Sequence, residues 1–357
     1  MRYLGPGELR VLGRLIIDPS MRQADLAKEL GVSRSAVNQI WSNLNTENNL
    51  RIRGNLDFGK IGLQKIFGWA LSGEGSDILI KFSRWLNSSR LVTSVLLSKL
   101  SSTFQSLVYF EAVLPPGNQS QWFHSQVDRF RKKPYSLEIY TTICSKVSHH
   151  MNLGLFDGST WTFPDNFRLE ASISAARGYV DILPIVGTVE QSIPAAVVSD
   201  EIVAAAVLEE NYFATATELA ESYTKSGLKS DSGRTLRRRI ARVRNSLTSP
   251  YVDIDNIGLE QRLLVCIRDD TDTESDFSHV LHAQAGTFPK ARVVSGLNLT
   301  LLELEVPNSV EWSELSQVLS SLAGNASEIC TFIADKNENG TRLESVMSHL
   351  ASRAPSG

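Results

Sequence analysis

The chain has 357 residues, a formal net charge of -3 at pH 7, 42 % hydrophobic residues and 21 % charged residues. This length exceeds what one ordinary hydrophobic core occupies, so we expect two or more domains. No apolar run reaches the roughly 18 to 20 residues that span a bilayer, no signal-peptide core follows the N-terminus, and the three dispersed cysteines exclude a disulfide framework, so we expect a cytoplasmic protein.

The first 56 residues predict a helix-turn-helix. Apolar residues recur at helical spacing from Leu9 to Ile16, and Pro19 ends this helix. A short helix at ADLAKEL is followed by a turn at Gly31, and a third helix begins at the N-cap Ser33 and runs to about residue 45. Two helices, a turn with glycine and a further helix are the pattern of a DNA-binding helix-turn-helix, assigned here to residues 1–56.

Residues 57–150 predict strand, helix, strand, strand, helix and strand, from KIFGWAL to YSLEIYTTI. This is the ferredoxin-like βαββαβ order, in which helices cover one face of the sheet and the other face is free to pair with a second sheet. The connecting segment that follows, 151–198, contains Trp161, Phe163 and Phe167. This apolar content predicts that it packs on a domain.

The rest of the chain repeats this order, which indicates a tandem duplication. IGL occurs at 61–63 and 257–259, ADLA pairs with TELA, and LVYFEAVLP pairs with LTLLELEVP. We therefore predict a second helix-turn-helix at 199–252, a second ferredoxin-like domain at 253–336 and a tail at 337–357. The predicted fold class is α+β, with two tandem copies of a (winged) helix-turn-helix followed by a ferredoxin-like βαββαβ domain, and the two ferredoxin-like domains are expected to pair within the chain.

Positive charge is concentrated on the third helix of the second copy, SGRTLRRRIARVR. Six arginines and no acid occupy residues 232–244, and Leu236, Ile240 and Val243 form the apolar face. A uniformly positive exposed face is typical of a helix that lies against DNA phosphates. A solvated charged helix is the alternative, although such helices normally mix both signs of charge.

The third helix of the first copy carries uncharged polar side chains opposite its apolar face. Asn and Gln hydrogen-bond adenine and Ser contacts several bases, so this copy is suited to reading bases; an ordinary polar helix face is the alternative. Two arginines of the following strand would hold phosphates. The predicted DNA-binding residues of both copies are Ser33, Arg34, Ser35, Asn38, Gln39, Ser42, Arg51, Arg53, Lys229, Arg234, Thr235, Arg237, Arg238 and Arg242.

A helix-turn-helix joined by a short linker to a βαββαβ domain resembles the Lrp/AsnC (feast/famine) family of transcription regulators. The resemblance is carried by LAKELGVSRSAV at 26–37 and the junction LDFGKIGL at 56–63, and it covers both copies but not the connecting segment. It implies a sequence-specific regulator that binds double-stranded DNA. The tandem duplication departs from the usual single-copy subunit of the family, so whether the chain also forms a homodimer or higher oligomer stays open. The family often has Gly-x-x-Asp near an amino-acid effector site; Gly296-Leu297-Asn298-Leu299 lacks the aspartate, so we expect no amino-acid effector.

Motifs for catalysis are sparse. The pairs His149 and His150, at a strand end, and His279 and His282, on one helix face, are interpreted as surface residues. No catalytic residue, metal site or cofactor is indicated, so we expect that the chain is not an enzyme. Two alternatives stay open: an enzyme like the sirohaem decarboxylases, which also resemble this fold and would need a basic pocket for a carboxylate-rich substrate, and a nonspecific chromatin-organising DNA-binding protein.

Overall fold

The computed structural model describes residues 3–72, 76–103, 105–162, 198–229, 231–247, 250–269, 276–310, 312–313, 315–316, 328–335 and 342–354. The fold is mixed α and β, with two tandem copies of a helix-turn-helix followed by a ferredoxin-like domain. Within the described ranges, no helix is long and apolar enough to cross a bilayer.

The first copy begins with the predicted helix-turn-helix. Its elements are α1 (Pro6–Ile17), α2 (Gln23–Leu30), α3 (Arg34–Asn48) and the short strand β1 (Arg51–Arg53). Gly31 ends α2 with a φ of 66°, a left-handed conformation that costs glycine little. The Ser33 hydroxyl oxygen accepts a hydrogen bond from the Ala36 amide at 3.1 Å, which caps α3. These two local signals fix the turn before α3.

The ferredoxin-like domain of the first copy follows a 3-10 turn at Phe58–Ile61. Its elements are β2 (Gln64–Leu71), α4 (Ser76–Ser88), β3 (Val92–Ser101), β4 (Leu107–Leu114), α5 (Asn118–Arg131) and β5 (Glu138–Ile143). A further strand, β6 (Lys146–Met151), leaves this domain. Every residue of β4 is buried because both faces of this central strand are covered.

The second copy repeats these elements. They are α6 (Ser199–Glu210), α7 (Ala216–Lys225), α8 (Gly233–Arg244), β7 (Tyr251–Asp253), β8 (Gln261–Arg268), α9 (Asp276–Gln284), β9 (Lys290–Ser295), β10 (Leu299–Val306), β11 (Glu328–Ala334) and α10 (Leu343–Ala351). The helix expected at VEWSELSQVLSSL lies largely outside the described residues, as do Phe163 and Phe167 of the connecting segment.

Nine strands form one continuous hydrogen-bonded sheet in the order β5-β2-β4-β3-β11-β8-β10-β9-β6. The two ferredoxin-like sheets join where β3 pairs with β11, with Ser101 opposite Phe332. They also face each other through a shared core in which Trp69 and Tyr109 of the first copy lie with Leu301 and Phe332 of the second. The sheet face that the helices leave bare is therefore buried by the other copy.

Each helix-turn-helix packs on the opposite copy. The helices of the first copy share a core with Val252, Ile254 and Leu259 of the second, whereas α6, α7 and α8 share a core with the first ferredoxin-like domain. Strands β1 and β7 pair antiparallel at the crossing, with Arg51 opposite Asp253. Trp161 of the connecting segment is 6 % exposed in the core of the first helix-turn-helix.

Candidate functional site

The exposed face of α3 carries the side chains that the sequence selected for reading bases. Its apolar residues Val37 and Leu44 are buried against α1. The five polar side chains on the outer face are all exposed, namely Arg34, Ser35, Asn38, Gln39 and Ser42. Ser33 is engaged as the N-cap, so its side-chain oxygen serves α3 itself. The structure brings these residues together on one polar surface.

The exposed face of α8 carries only part of the predicted charge. Ser232 caps this helix, and Leu236, Ile240 and Val243 are buried. Arg234, Thr235, Arg237, Arg238 and the preceding Lys229 are exposed. In the part of the chain that the structure describes, no carboxylate pairs with Arg234, Arg237 or Arg238. These three arginines form what we call the free arginine face.

The other arginines of α8 hold the second helix-turn-helix together. Arg239 pairs with Asp200 of α6 at 2.8 Å and with Asp231 at 2.9 Å. Arg242, which the sequence assigned to DNA, pairs with Glu201 at 2.5 Å. Arg244 donates to the Tyr212 carbonyl oxygen at 3.1 Å and lies over the Tyr212 ring. The acids that pair with Arg239 and Arg242 come from outside the helix, so the run of arginines alone did not reveal them.

Arg51 and Arg53 of β1 are also engaged within the protein. Arg51 pairs with Glu210, and Arg53 pairs with Glu210 at 2.5 Å and with Asp253 at 2.8 Å. Burial opposes the charge of Arg53, but Asp253 and Glu210 outweigh it and raise its pKa. A phosphate would have to displace these carboxylates. The structure instead places Arg53 in the wall of a chamber between the two copies.

This central chamber has a volume of about 620 Å³ and is lined by both copies. Elements β1, β2, β3, β4 and β6 contribute from the first copy, and α6, β7, β8, β9, β10 and α10 from the second. Five cations line it, namely Arg53, Lys65, Arg262, Lys290 and Arg292. Eight carboxylates line it, namely Glu111, Glu209, Glu210, Asp253, Asp255, Glu303, Glu305 and Glu344.

A bridge of charges crosses the chamber around Glu111, which is 5 % exposed. Its carboxylate accepts from Tyr109 at 2.6 Å, and it pairs with Lys65 at 2.9 Å and with Arg292. Arg292 also pairs with Glu303 of β10 at 3.0 Å. Burial opposes ionisation of Glu111, but Arg292 and Lys65 outweigh it and hold its pKa well below the usual range. Glu111 is therefore a carboxylate at any ordinary pH.

A second cluster joins β1, β7, β9 and β10 on the chamber wall. Lys290 pairs with Glu305 at 2.9 Å and with Asp253 at 3.2 Å. Asp253 in turn accepts from Arg53. Burial raises the pKa of Asp253, but Lys290 and Arg53 outweigh it and lower the pKa overall. Each chamber cation is thus already neutralised by at least one carboxylate.

Glu209, in the last turn of α6, differs from the other chamber carboxylates. The residue as a whole is half-buried, but its Oε2 atom is closed to solvent and has no hydrogen-bond partner among the described residues. Burial raises the pKa of Glu209 to about 7, although Lys65 and Arg53 act in the opposite direction. A buried carboxyl group with this pKa changes charge at neutral pH, which is unusual for a structural residue.

The sequence analysis interpreted four histidines as surface residues, and this interpretation is wrong for three of them. His149 and His150 line the chamber, and His282 is buried behind them. The cause is β6, which crosses to pair with β9 of the second copy. His149 stacks on Tyr251 at 3.5 Å between ring centres, and burial, then Arg292, lower its pKa.

The Ser148 hydroxyl forms hydrogen bonds with two histidine rings, to His150 Nε2 at 3.0 Å and to His282 Nδ1 at 2.6 Å. His282 is 4 % exposed and also contacts Ser295 at 2.9 Å. Burial, then Lys146, lower the pKa of His282 to about 3, so it is neutral and positions its neighbours. Among the described residues, no group of three or more His, Cys, Asp or Glu is placed to hold a metal ion.

Comparison with known protein families and with curated proteins finds no match. Among solved structures, the chain is similar to the siroheme decarboxylase NirDL, at 11 % identity over 97 % of this chain and 98 % of that one, with a TM-score of 0.49. It is similar to the same enzyme in complex with an iron-uroporphyrin III analogue, at 10 % identity over 96 % and 98 %, with a TM-score of 0.46. It is also similar to an AsnC family transcriptional regulator from Agrobacterium tumefaciens, at 15 % identity over 40 % and 91 %, with a TM-score of 0.29.

At these identities the likeness concerns the fold alone. The two matches that span nearly the whole chain are nevertheless to an enzyme, and this overturns our expectation that the chain is not an enzyme. The sequence alone did not reveal the chamber, because its titratable residues come from elements that lie far apart along the chain.

Proposed function

We propose that the protein binds double-stranded DNA as a transcription regulator of the Lrp/AsnC type. In this proposal α3 reads base edges and α8 holds phosphates. The observation that carries it is the division of labour between two exposed helix faces. Asn38 and Gln39 stand on an uncharged polar face, and the free arginine face stands on the equivalent helix of the second copy.

The charge on α8 supports phosphate contact more than a solvated surface. Asp200 and Asp231 neutralise Arg239, Glu201 neutralises Arg242, and Arg244 donates a hydrogen bond to the Tyr212 carbonyl oxygen. These contacts orient the helix. The remaining three repel one another at i,i+3 and i,i+4 spacing unless an anion is present. DNA phosphates satisfy that requirement without specifying sequence.

The test is a salt titration with a matched control. The preferred DNA site is first found by genome-wide binding, and affinity for it is measured over a range of salt concentrations. Changing Arg234, Arg237 and Arg238 together to Gln should reduce the slope of log affinity against log salt by about 0.9 for each phosphate contact, or roughly 2.7 in all. The control changes the exposed Lys81, Arg84 and Lys132, on the outer side of the first ferredoxin-like domain, to Gln.

The control removes the same total charge, so it reports the effect of net charge alone. The proposal is supported if the slope of log affinity against log salt decreases in the α8 variant but not in the control. Equal slopes in both variants would show that the free arginine face is only a solvated surface, and the second helix-turn-helix would then have no role in DNA binding.

Glu209 favours a second candidate function, an enzyme that converts a small molecule in the central chamber. A carboxyl group with a pKa of about 7 donates and accepts protons efficiently at neutral pH. His149, which stacks on Tyr251, and His150, which is hydrogen-bonded to Ser148, lie in the same wall. These groups belong to a chamber that closes only where the two copies meet.

A substrate like that of the sirohaem decarboxylases is rich in carboxylates and needs free positive charge. The chamber supplies five cations against eight carboxylates, and each cation is already paired. We therefore expect no saturable spectral change when sirohaem is titrated into the protein. Saturable binding that is abolished in Arg292→Gln would instead assign a sirohaem-type activity to the chamber.

A further inference from the structure

We infer that the DNA target of this protein is non-palindromic, with one sequence-specified half-site under α3 and no inverted copy of it under α8. This inference rests on the proposed function and names the class of duplex that the function requires. The two helix-turn-helices are placed symmetrically in the molecule, but the side chains on their outer faces differ.

An approximate two-fold axis relates the two helix-turn-helices. Their short strands β1 and β7 pair antiparallel with each other. The Asp255 amide, shortly after β7, donates a hydrogen bond of 2.8 Å to the carbonyl oxygen of Asn48, the last residue of α3. In return, the Asp57 amide, shortly after β1, donates a hydrogen bond of 3.0 Å to the carbonyl oxygen of Ser246, which follows α8. Because each copy makes the same kind of contact with the other, α3 and α8 lie in corresponding positions on either side of the β1–β7 pairing.

The N-caps set the same register along the two helices. The side-chain oxygen of Ser33 accepts a hydrogen bond from the backbone amide three residues on, and that of Ser232 does the same at the start of α8. When the caps are superposed, the buried Val37 of α3 coincides with the buried Leu236 of α8. Each position on one outer face therefore has a defined counterpart on the other.

Three exposed counterparts differ in chemistry. The α3 residue and its α8 counterpart are Ser35 and Arg234, Asn38 and Arg237, and Gln39 and Arg238. Every arginine of the free arginine face thus stands where α3 has an uncharged side chain. Asn and Gln pair with the N6 and N7 atoms of adenine, whereas arginine pairs with guanine or holds any phosphate. A half-site that suits α3 therefore does not suit α8.

Symmetric proteins read palindromes because both halves present the same side chains to the same bases. Here an inverted copy of the α3 half-site would meet arginines and would gain no matching base contacts. The free arginine face still needs DNA beneath it, because no carboxylate of the described chain pairs with it and phosphates can neutralise it. The duplex must therefore extend from the specified half-site toward α8, by about 10 bp or one helical turn if both helices lie in the major groove.

Selection of tightly bound duplexes from a random pool by the full chain, followed by sequencing, tests this inference. We expect one enriched half-site with no inverted copy of it at any spacing, and a second enriched segment of different sequence would support the inference equally. Two duplexes of equal length are then compared: one with a single half-site in arbitrary flanks, and one with an inverted repeat of that half-site. The inverted repeat should bind at most about twofold more tightly, because it only offers the protein two equivalent orientations.

An exchange of side chains tests the cause of the asymmetry. The variant Arg234→Ser, Arg237→Asn and Arg238→Gln gives α8 the three side chains that α3 carries at the corresponding positions. It should bind the inverted repeat at least about tenfold more tightly than the single half-site, because both helices then read the same bases. The triple-glutamine control of the salt titration removes the same charge and should behave like the unaltered protein.

The inference is overturned if the unaltered protein selects an inverted repeat or prefers it by about tenfold or more, while the proposed DNA binding would then stand. It is also overturned if the exchange variant keeps the preference of the unaltered protein, since the three positions would then not set the asymmetry. A pool without any enriched sequence would contradict the proposed function itself, and this inference with it. The comparison of duplexes on the unaltered protein holds even if a variant fails to fold.

Discussion

Glu209→Gln tests the central chamber through folding stability alone, without a ligand. Glutamine has nearly the shape of a protonated glutamic acid but cannot ionise. Between pH 4.5 and about 7 the folded protein keeps a proton on Glu209 that the unfolded chain has released. The stability of the native protein therefore falls as the pH rises through this window and stays constant above it. The variant lacks this fall.

The expected size follows from the groups that face Glu209. Burial raises its pKa, while Lys65 of β2, Arg53 of β1 and Arg292 of β9 lower it and Glu111 of β4 raises it. The net pKa of about 7 corresponds to a fall in stability of roughly 1.4 kcal/mol for each pH unit above 4.5. The variant should thus match the native protein near pH 4.5 and exceed its stability by roughly 3 kcal/mol at pH 8.

The assay is urea unfolding followed by circular dichroism at pH 5, 6, 7 and 8, with Glu221→Gln as the control at an exposed site. The difference between Glu209→Gln and the native protein should widen with pH, while the control should follow the native protein throughout. A difference that is constant with pH would refute the reasoning, because it would mean that Glu209 ionises on the surface or has a partner in the folded state.

Three further predictions concern helix α3, an amino-acid effector and His282. Asn38→Ala with Gln39→Ala should reduce preference for the specific DNA site more than affinity for random DNA, by about 1–3 kcal/mol for each bidentate base pairing that the substitutions remove; equal reductions in a competition assay would contradict base reading. Free amino acids should leave DNA affinity unchanged, and a tenfold shift with leucine, about 1.4 kcal/mol of coupling, would contradict that. Burial lowers the pKa of His282 to about 3, so between pH 6.5 and 3 the unfolded chain binds a proton there that the folded protein does not. The stability of the folded protein should therefore fall on acidification through this window. The unfolding midpoint of His282→Gln should fall less between pH 7 and pH 5 than that of the unaltered protein.

Local pattern predicted the helices and strands, because each signal lies within a few residues. The spacing of apolar residues in α1, the N-cap Ser33 and the turn at Gly31 are all read within one element. The duplicated order likewise predicted two ferredoxin-like domains, and the bare faces of their sheets predicted their pairing.

The sequence patterns did not predict contacts between segments that are far apart along the chain. The arginine run on α8 was interpreted as uniformly free, because Asp200 and Glu201 precede it by more than 30 residues and meet it only after α6 packs against α8. His149 looked exposed because nothing beside it in the chain shows that β6 crosses to β9. The chamber could not be predicted for the same reason, because both copies contribute residues to its wall.

The duplication explains why the chamber is asymmetric. Glu111 and Glu303 hold the same place in their copies, since Glu111 lies opposite Phe67 in one sheet and Glu303 opposite Leu264 in the other. Their neighbours Lys65 and Arg262 also correspond, and each pairs with its own glutamate.

Arg292 breaks this correspondence, because the aligned residue of the first copy is the uncharged Ser94, and it bridges both glutamates from one side. Glu209 breaks it again, because the aligned position at the end of α1 is the apolar Ile16. Two identical subunits would place every charge twice around their axis. A single chain with two diverged copies instead places one bridging cation, Arg292, and one carboxyl oxygen without a hydrogen-bond partner, Glu209 Oε2, in the same chamber, so its charges need not follow the two-fold symmetry of the duplicated fold.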